Sequence, residues 1–107
     1  WSLIGVSQAV AYAASKSGVT GFTRALAVEW ARHNITVNAV APGLTATEIN
    51  AEARNDARMR DMILRQIPLR RFGDVDEVGH LVAYLSSDAA RFITGQTMVM
   101  DGGQIIA

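Results

Sequence analysis

Ile35-Thr36-Val37-Asn38-Ala39-Val40-Ala41-Pro42-Gly43 is the stretch that decides the fold. Ile35 to Ala41 is short, β-branched and apolar, and Pro42-Gly43 stops it, so it reads as a strand. Both faces are mostly apolar, which suggests a strand covered on both sides, as in a parallel sheet. Upstream, residues from about Ala9 to Arg32 read as one long helix. Val19, Phe22, Leu26 and Trp30 recur at steps of three and four and form an apolar stripe. Gly18 and Gly21 fall inside this helix, where glycine weakens it by up to ~1 kcal/mol. Close approach to another helix or a strand is the simplest reason for them. Asn34 suits a left-handed residue that ends the helix.

Downstream, Thr47 to about Gln66 is amphipathic at best and rich in Arg, Glu, Asp and Ala, which predicts a mobile helical surface segment. A solvated helix with no function is the competing reading. Asp74 and Glu77 form a variant of the capping box. Val75, Val78, Leu81, Val82 and Leu85 then mark a helix to about Ser86. After Gly95, Thr97-Met98-Val99-Met100 reads as a second strand, ended by Asp101-Gly102-Gly103. Helix, strand, helix, helix, strand is the order of an α/β sheet with right-handed crossovers.

The 107 residues suffice for one small domain, and acids and bases balance at ten each. No long-range field would gather nucleic acid or an anionic membrane. No run of about 18 apolar residues could span a bilayer. The start, Trp1-Ser2-Leu3-Ile4-Gly5, lacks the basic flank and apolar core of a signal peptide. It also lacks an initiator methionine, which suggests a fragment, a processed product or an incomplete sequence. With no cysteine, thiolate chemistry is excluded, and a reducing cytoplasm is the natural expectation.

Among ten basic residues the single lysine is Lys16, four positions after Tyr12 in Tyr12-Ala13-Ala14-Ser15-Lys16. On a helix these two lie on one face, one turn apart. A free tyrosine has a pKa of about 10, and a nearby cation lowers it by favouring the phenolate. Such a phenol can exchange a proton with a substrate oxygen. The ordinary reading is a half-buried tyrosine beside a snorkelling lysine. His33, after the long helix, suits its C-terminal dipole. Neither it nor His80 has a partner at metal-ligand spacing, so no metal site is expected. Asp74, Asp76 and Glu77 suit a helix first turn, which makes a paired-carboxylate hydrolase an unnecessary reading.

Four motifs resolve the ambiguity of Tyr12 and Lys16. They are Tyr12-x-x-x-Lys16; Asn38-Ala39-Val40-Ala41-Pro42-Gly43 with Thr47 four residues on; Ile67-Pro68-Leu69-x-Arg71-Phe72-Gly73 leading into Asp76-Glu77-Val78; and Ile93-Thr94-Gly95-Gln96, a strand, then Asp101-Gly102-Gly103. In this order and spacing the chain resembles the C-terminal part of a classical short-chain dehydrogenase/reductase, especially the 3-oxoacyl-carrier-protein reductase branch. The resemblance implies an α/β fold, the last two strands and flanking helices of a Rossmann-type doubly wound parallel sheet. Residues 1–107 would be the C-terminal half of an NAD(P)-binding domain, without the N-terminal dinucleotide-binding half.

The implied activity is hydride transfer between NAD(H) or NADP(H) and a small alcohol or ketone. Tyr12 would be the general acid or base. Lys16 would assist it and bind the nicotinamide ribose. Pro42 and Gly43 would pass close to the nicotinamide, backbone groups near Thr45 would meet the carboxamide, and the Thr47 hydroxyl would reach the carboxamide or the pyrophosphate. For Asp101-Gly102-Gly103, and for Gly5, a structural role is preferred. The family's catalytic serine falls upstream of Trp1, and Ser2 and Ser7 are at the wrong spacing for it. Leu44 to Ile67 would form the flap over substrate, with Met59, Met62, Ile63 and Leu64 apolar. The resemblance also implies a homo-oligomer, a tetramer in the family. The alternative is a non-catalytic remnant serving as an oligomerisation or binding element. The epimerase/dehydratase branch shares Tyr-x-x-x-Lys, but the Pro42-Gly43 and Asp101-Gly102-Gly103 segments favour the reductase branch.

Overall fold

The computed structural model describes residues 9–107. Ser2, Gly5 and Ser7 lie outside the described residues. The chain divides into two compact units, one comprising the described residues up to Ala39 with Ala83–Met98, the other Val40–Val82 with Val99–Ala107. In chain order the elements are α1 (Val10–Trp30), β1 (Ala39–Pro42), α2 (Ala51–Asn55), α3 (Ala57–Arg65), α4 (Val75–Leu85) and β2 (Thr97–Met100). β1 and β2 pair as a two-stranded sheet. Ala39 N donates to Gln96 O and Gly43 N to Met100 O, so the register advances in the same direction on both strands and the pair is parallel.

In the first unit, α1 tightens into a short 3₁₀ turn, Ala31–His33, and stops at Asn34, whose φ is 57°. Asparagine tolerates this left-handed conformation, and the predicted helix end is where the sequence places it. The buried face of α1 differs from the predicted stripe. Thr23 and Ala27 are buried, whereas Val19, Phe22 and Trp30 are exposed. The reason is a close approach: the backbone at Gly95 passes Ala27, so that a Cβ on Gly95 would lie 3.4 Å from the Ala27 methyl. Only a small helical residue admits that loop. Gly18 and Gly21, by contrast, have nothing within 4 Å of where a Cβ would stand. The close approach expected of them is not made among the described residues.

β1 starts at Ala39, later than the predicted Ile35. Residues 37 and 38 spend their bonding groups on the loop before β2. Val37 N donates to Thr94 Oγ1 (3.0 Å) and Val37 O accepts from Gly95 N (2.7 Å). The Asn38 side chain donates to Ile93 O and accepts from Gln96 N. A side-chain clasp thus replaces the ladder, each bond contributing roughly 1 kcal/mol net. Ala39 to Ala41 are half-buried rather than covered on both faces, because each strand of a two-stranded sheet is an edge.

The second unit is built around Ile67, which is 2% exposed. The turn after β2 docks on it. Gly102 and Gly103 adopt φ of 63° and 89°. Leu69 N donates to Gly102 O, and the Asp101 carboxylate accepts from Gly103 N and Ile105 N. The structural reading of Asp101-Gly102-Gly103 therefore holds. The segment expected as one amphipathic helix is two. Asp56 interrupts it at φ −78°, ψ 114° and accepts from Met59 N at 2.7 Å, which starts α3. α4 begins as predicted: Asp74 N donates to Glu77 Oε2 (2.8 Å) and Asp76 N to Asp74 Oδ1.

Candidate active site

Tyr12 and Lys16 belong to the first unit, on the first turns of α1. The helical repeat brings them together. Lys16 Nζ stands over the Tyr12 ring, 5.1 Å from its centroid, within the range of a cation–π contact. Half of Tyr12 is exposed. Between them the exposed Ser15 hydroxyl donates back to Tyr12 O at 2.7 Å. The outcome is a phenol and an ammonium on one face of a helix, both within reach of solvent. A phenol and an ammonium so placed have the groups to exchange a proton with a bound oxygen and to steady negative charge beside it.

Pro42, Gly43, Thr45 and Thr47 belong to the second unit. Pro42 ends β1 at the carboxyl end of its strand, and Gly43 N takes the last ladder bond, to Met100 O (2.9 Å). A side chain at position 43 would collide with Asp101, whose Cα and Cβ lie 2.7 Å from the missing Cβ. Glycine is thus required there by the neighbouring strand end, a reason the sequence did not reveal. Beyond it the chain is tied twice more. Gly73 N donates to Leu44 O (3.0 Å) and Ala46 N to Gly73 O (2.9 Å), a parallel bridge between Thr45 and Gly73. Thr45 Oγ1 makes only a long bond to Gly43 O, 3.4 Å, which a better acceptor could replace.

Two residues of this region escaped sequence reasoning. Asn50 Nδ2 donates to Thr45 O (2.7 Å), and its Oδ1 accepts from Thr47 N (3.1 Å). Arg54 donates from Nε to Asn50 Oδ1 and from Nη2 to Thr47 O, both at 3.0 Å. The available signal was the spacing Thr47-x-x-Asn50, which resembles a capping box with asparagine in place of the usual Glu or Gln.

A cavity of about 200 Å³ opens in the same unit, with Leu44, Ile67, Leu69, Val78 and Met100 as its apolar wall. Arg71 and Glu77 stand at it as a two-pronged ion pair, Nη1 to Oε2 at 2.8 Å and Nη2 to Oε1 at 2.6 Å. The Arg71 bonds and the backbone N–H of Asp74 together hold the Glu77 carboxyl down to about 2. Glu77 likewise raises Arg71. Arg32 Nε donates to His33 Nε2, and no group of three His, Cys, Asp or Glu is placed to hold a metal among the described residues. No helix of the described residues is long and apolar enough to cross a membrane.

Comparison with known proteins bears on this geometry. Residues 2–104 match the family model described as Enoyl-(Acyl carrier protein) reductase. The chain is 46% identical over 92 residues to the 3-oxoacyl-(acyl-carrier-protein) reductase FabG of Staphylococcus epidermidis, covering 86% of this chain and 37% of that protein. It therefore spans well under half the length of that curated relative. Among solved structures, a candidate short-chain alcohol dehydrogenase from Sinorhizobium meliloti 1021 is 47% identical with a TM-score of 0.86, over 97% of this chain and 41% of that one. A 4-hydroxyisoleucine dehydrogenase complexed with NADH is 37% identical with a TM-score of 0.87, over 92% of this chain and 40% of that one. The α/β elements described above are therefore those of a Rossmann-type dehydrogenase.

Proposed function

Because the chain belongs to the short-chain dehydrogenase/reductase family, in the branch of the 3-oxoacyl-carrier-protein reductases, we propose that it forms the proton-transfer part of an NAD- or NADP-dependent oxidoreductase acting on a small alcohol or ketone. The observation that carries this reading is the Lys16 ammonium 5.1 Å over the half-exposed Tyr12 ring. Those two groups suit a nicotinamide ribose: the ammonium offers donors to vicinal hydroxyls, and the half-exposed phenol lies beside it. The NADH in the 4-hydroxyisoleucine dehydrogenase complex supports a nicotinamide as the cofactor.

When bound, the nicotinamide supplies or accepts the hydride at the substrate carbon. Tyr12 provides the proton. In reduction its phenol O–H gives that proton to the carbonyl oxygen, and in oxidation the oxygen takes it from the alcohol. Lys16 stabilises the charge left on the Tyr12 oxygen and binds the ribose. As the family resemblance implies, Pro42 and Gly43 would border the nicotinamide, backbone groups near Thr45 would hold the carboxamide, and the Thr47 hydroxyl would hold the carboxamide or the pyrophosphate. The lack of cysteine is compatible with a cytoplasmic setting.

The test joins the chain to an upstream dinucleotide-binding half and follows NADH and NADPH oxidation with a simple ketone. Tyr12→Phe keeps the ring and removes the proton, and it should lower kcat by roughly 100-fold or more. Undiminished turnover in that variant would end the reading. A second reading, an oligomerisation element without catalysis, is favoured by one observation: α1 leaves Val19, Phe22 and Val28 exposed. In the full enzyme the same surface suits assembly of copies into a tetramer.

A further inference from the structure

The loop from Thr45 to Thr47 carries no ladder of its own beyond the bridge at Gly73, and Thr47 is exposed. Holding such a segment in one conformation costs about 1–2 kcal/mol per residue. Here the cost is met by two half-buried side chains one helical turn apart, Asn50 at the N-cap of α2 and Arg54 in its last turn. Asn50 uses both ends of its amide, Nδ2 on Thr45 O and Oδ1 on Thr47 N. Arg54 closes the clasp from the other side, with Nε on Asn50 Oδ1 and Nη2 on Thr47 O. A guanidinium only donates, so its contact also fixes which end of the Asn50 amide is the oxygen. The four bonds bracket the loop at both threonines and leave Thr47 facing out.

Resting on the reading of Thr45 and Thr47 as cofactor contacts, we propose that Asn50 and Arg54 are positioning residues that pre-order the Thr45–Thr47 loop for the nicotinamide end of the cofactor. They act through the loop and touch neither cofactor nor substrate. A preformed loop binds without the ordering cost, so loss of the clasp appears in cofactor affinity before it appears in the chemical step.

The experiment has two readouts. Amide hydrogen exchange on the 107-residue chain reports the clasp itself. In Asn50→Ala the Thr47 amide should exchange about tenfold faster, while the Ala46 and Gly73 amides of the neighbouring bridge keep their rates and show that the unit is folded. Asn50→Asp retains the acceptor for Thr47 N and should restore its protection. Unchanged Thr47 exchange in Asn50→Ala overturns the proposal. Steady-state kinetics in the chain joined to its upstream half reports the consequence. Asn50→Ala and Arg54→Met should each raise KM for the nicotinamide cofactor about tenfold with kcat altered less than twofold, roughly the loss of one good hydrogen bond. Faster exchange at Thr47 with an unchanged KM overturns the positioning role alone. No turnover in the unsubstituted protein overturns the oxidoreductase reading, and the cofactor role of the clasp with it.

Discussion

Gly102 sits at φ 63°, and a Cβ there would lie 2.7 Å from Ile67 Cγ2. Ile67 is the most buried large side chain of its unit, so it has nowhere to retreat. Gly102→Ala should therefore destabilise the chain by roughly 1–3 kcal/mol, from backbone strain and overpacking together. Urea denaturation measures it, and a change under about 0.5 kcal/mol would contradict the packing described. That Asp101-Gly102-Gly103 is a turn was legible from residue types alone. That its glycines answer to Ile67 and Pro68 was not, because those partners lie far off in sequence. Gly43 makes the same point. The family resemblance gives it a cofactor role, and the structure adds a packing reason that residue types did not show, Asp101 against it. Tyr12 and Lys16 stand at the other extreme: their contact follows from helical spacing, and the structure finds them together.

Among the elements, α4 was the most legible and α2–α3 the least. The start of α4 is written in local chemistry, since Asp74 and Glu77 are three residues apart and bond to each other's neighbourhood. Arg71 adds what spacing did not show, a fork on Glu77. The pH dependence follows. Glu77 is held down from 4.5 to about 2 in the folded chain, so its contribution is fully present above the unfolded value, near 4.5, and is lost as pH falls toward 2. Melting curves between pH 6 and 2 should show Glu77→Gln losing less stability on acidification than the unsubstituted chain. Parallel pH profiles would refute the pairing. This exposed pair is screened by water and salt, so the effect should shrink at high ionic strength. The break between α2 and α3 was hidden because Ala51 to Arg65 consists mostly of good helix formers. Asp56 looked like one more surface charge, and only its bond to Met59 N shows that it starts a new helix.

For the molecule as a whole, a sheet of two strands and a chain spanning 37% of its curated relative set the expectation. A two-stranded element is marginal by itself. Titrating NADH and NADPH against the isolated chain by fluorescence should show no tight binding, and micromolar affinity would overturn that. Light scattering should show self-association through the exposed apolar face of α1 or an edge strand, and a clean monomer would count against it. What the amino-acid order by itself determined was local. It set the helix that stops at Asn34, the strands that stop at Pro42-Gly43 and Asp101-Gly102-Gly103, and the face shared by Tyr12 and Lys16. Each depends on backbone preference or on residues within one turn. Tertiary structure alone decided that Thr23 and Ala27, rather than Val19 and Phe22, are the buried face of α1. It also moved the start of β1 to Ala39, through side-chain bonds between residues 55 to 58 positions apart. Burial and long-range hydrogen bonds are properties of a partner, and the partner is named only when the chain has folded.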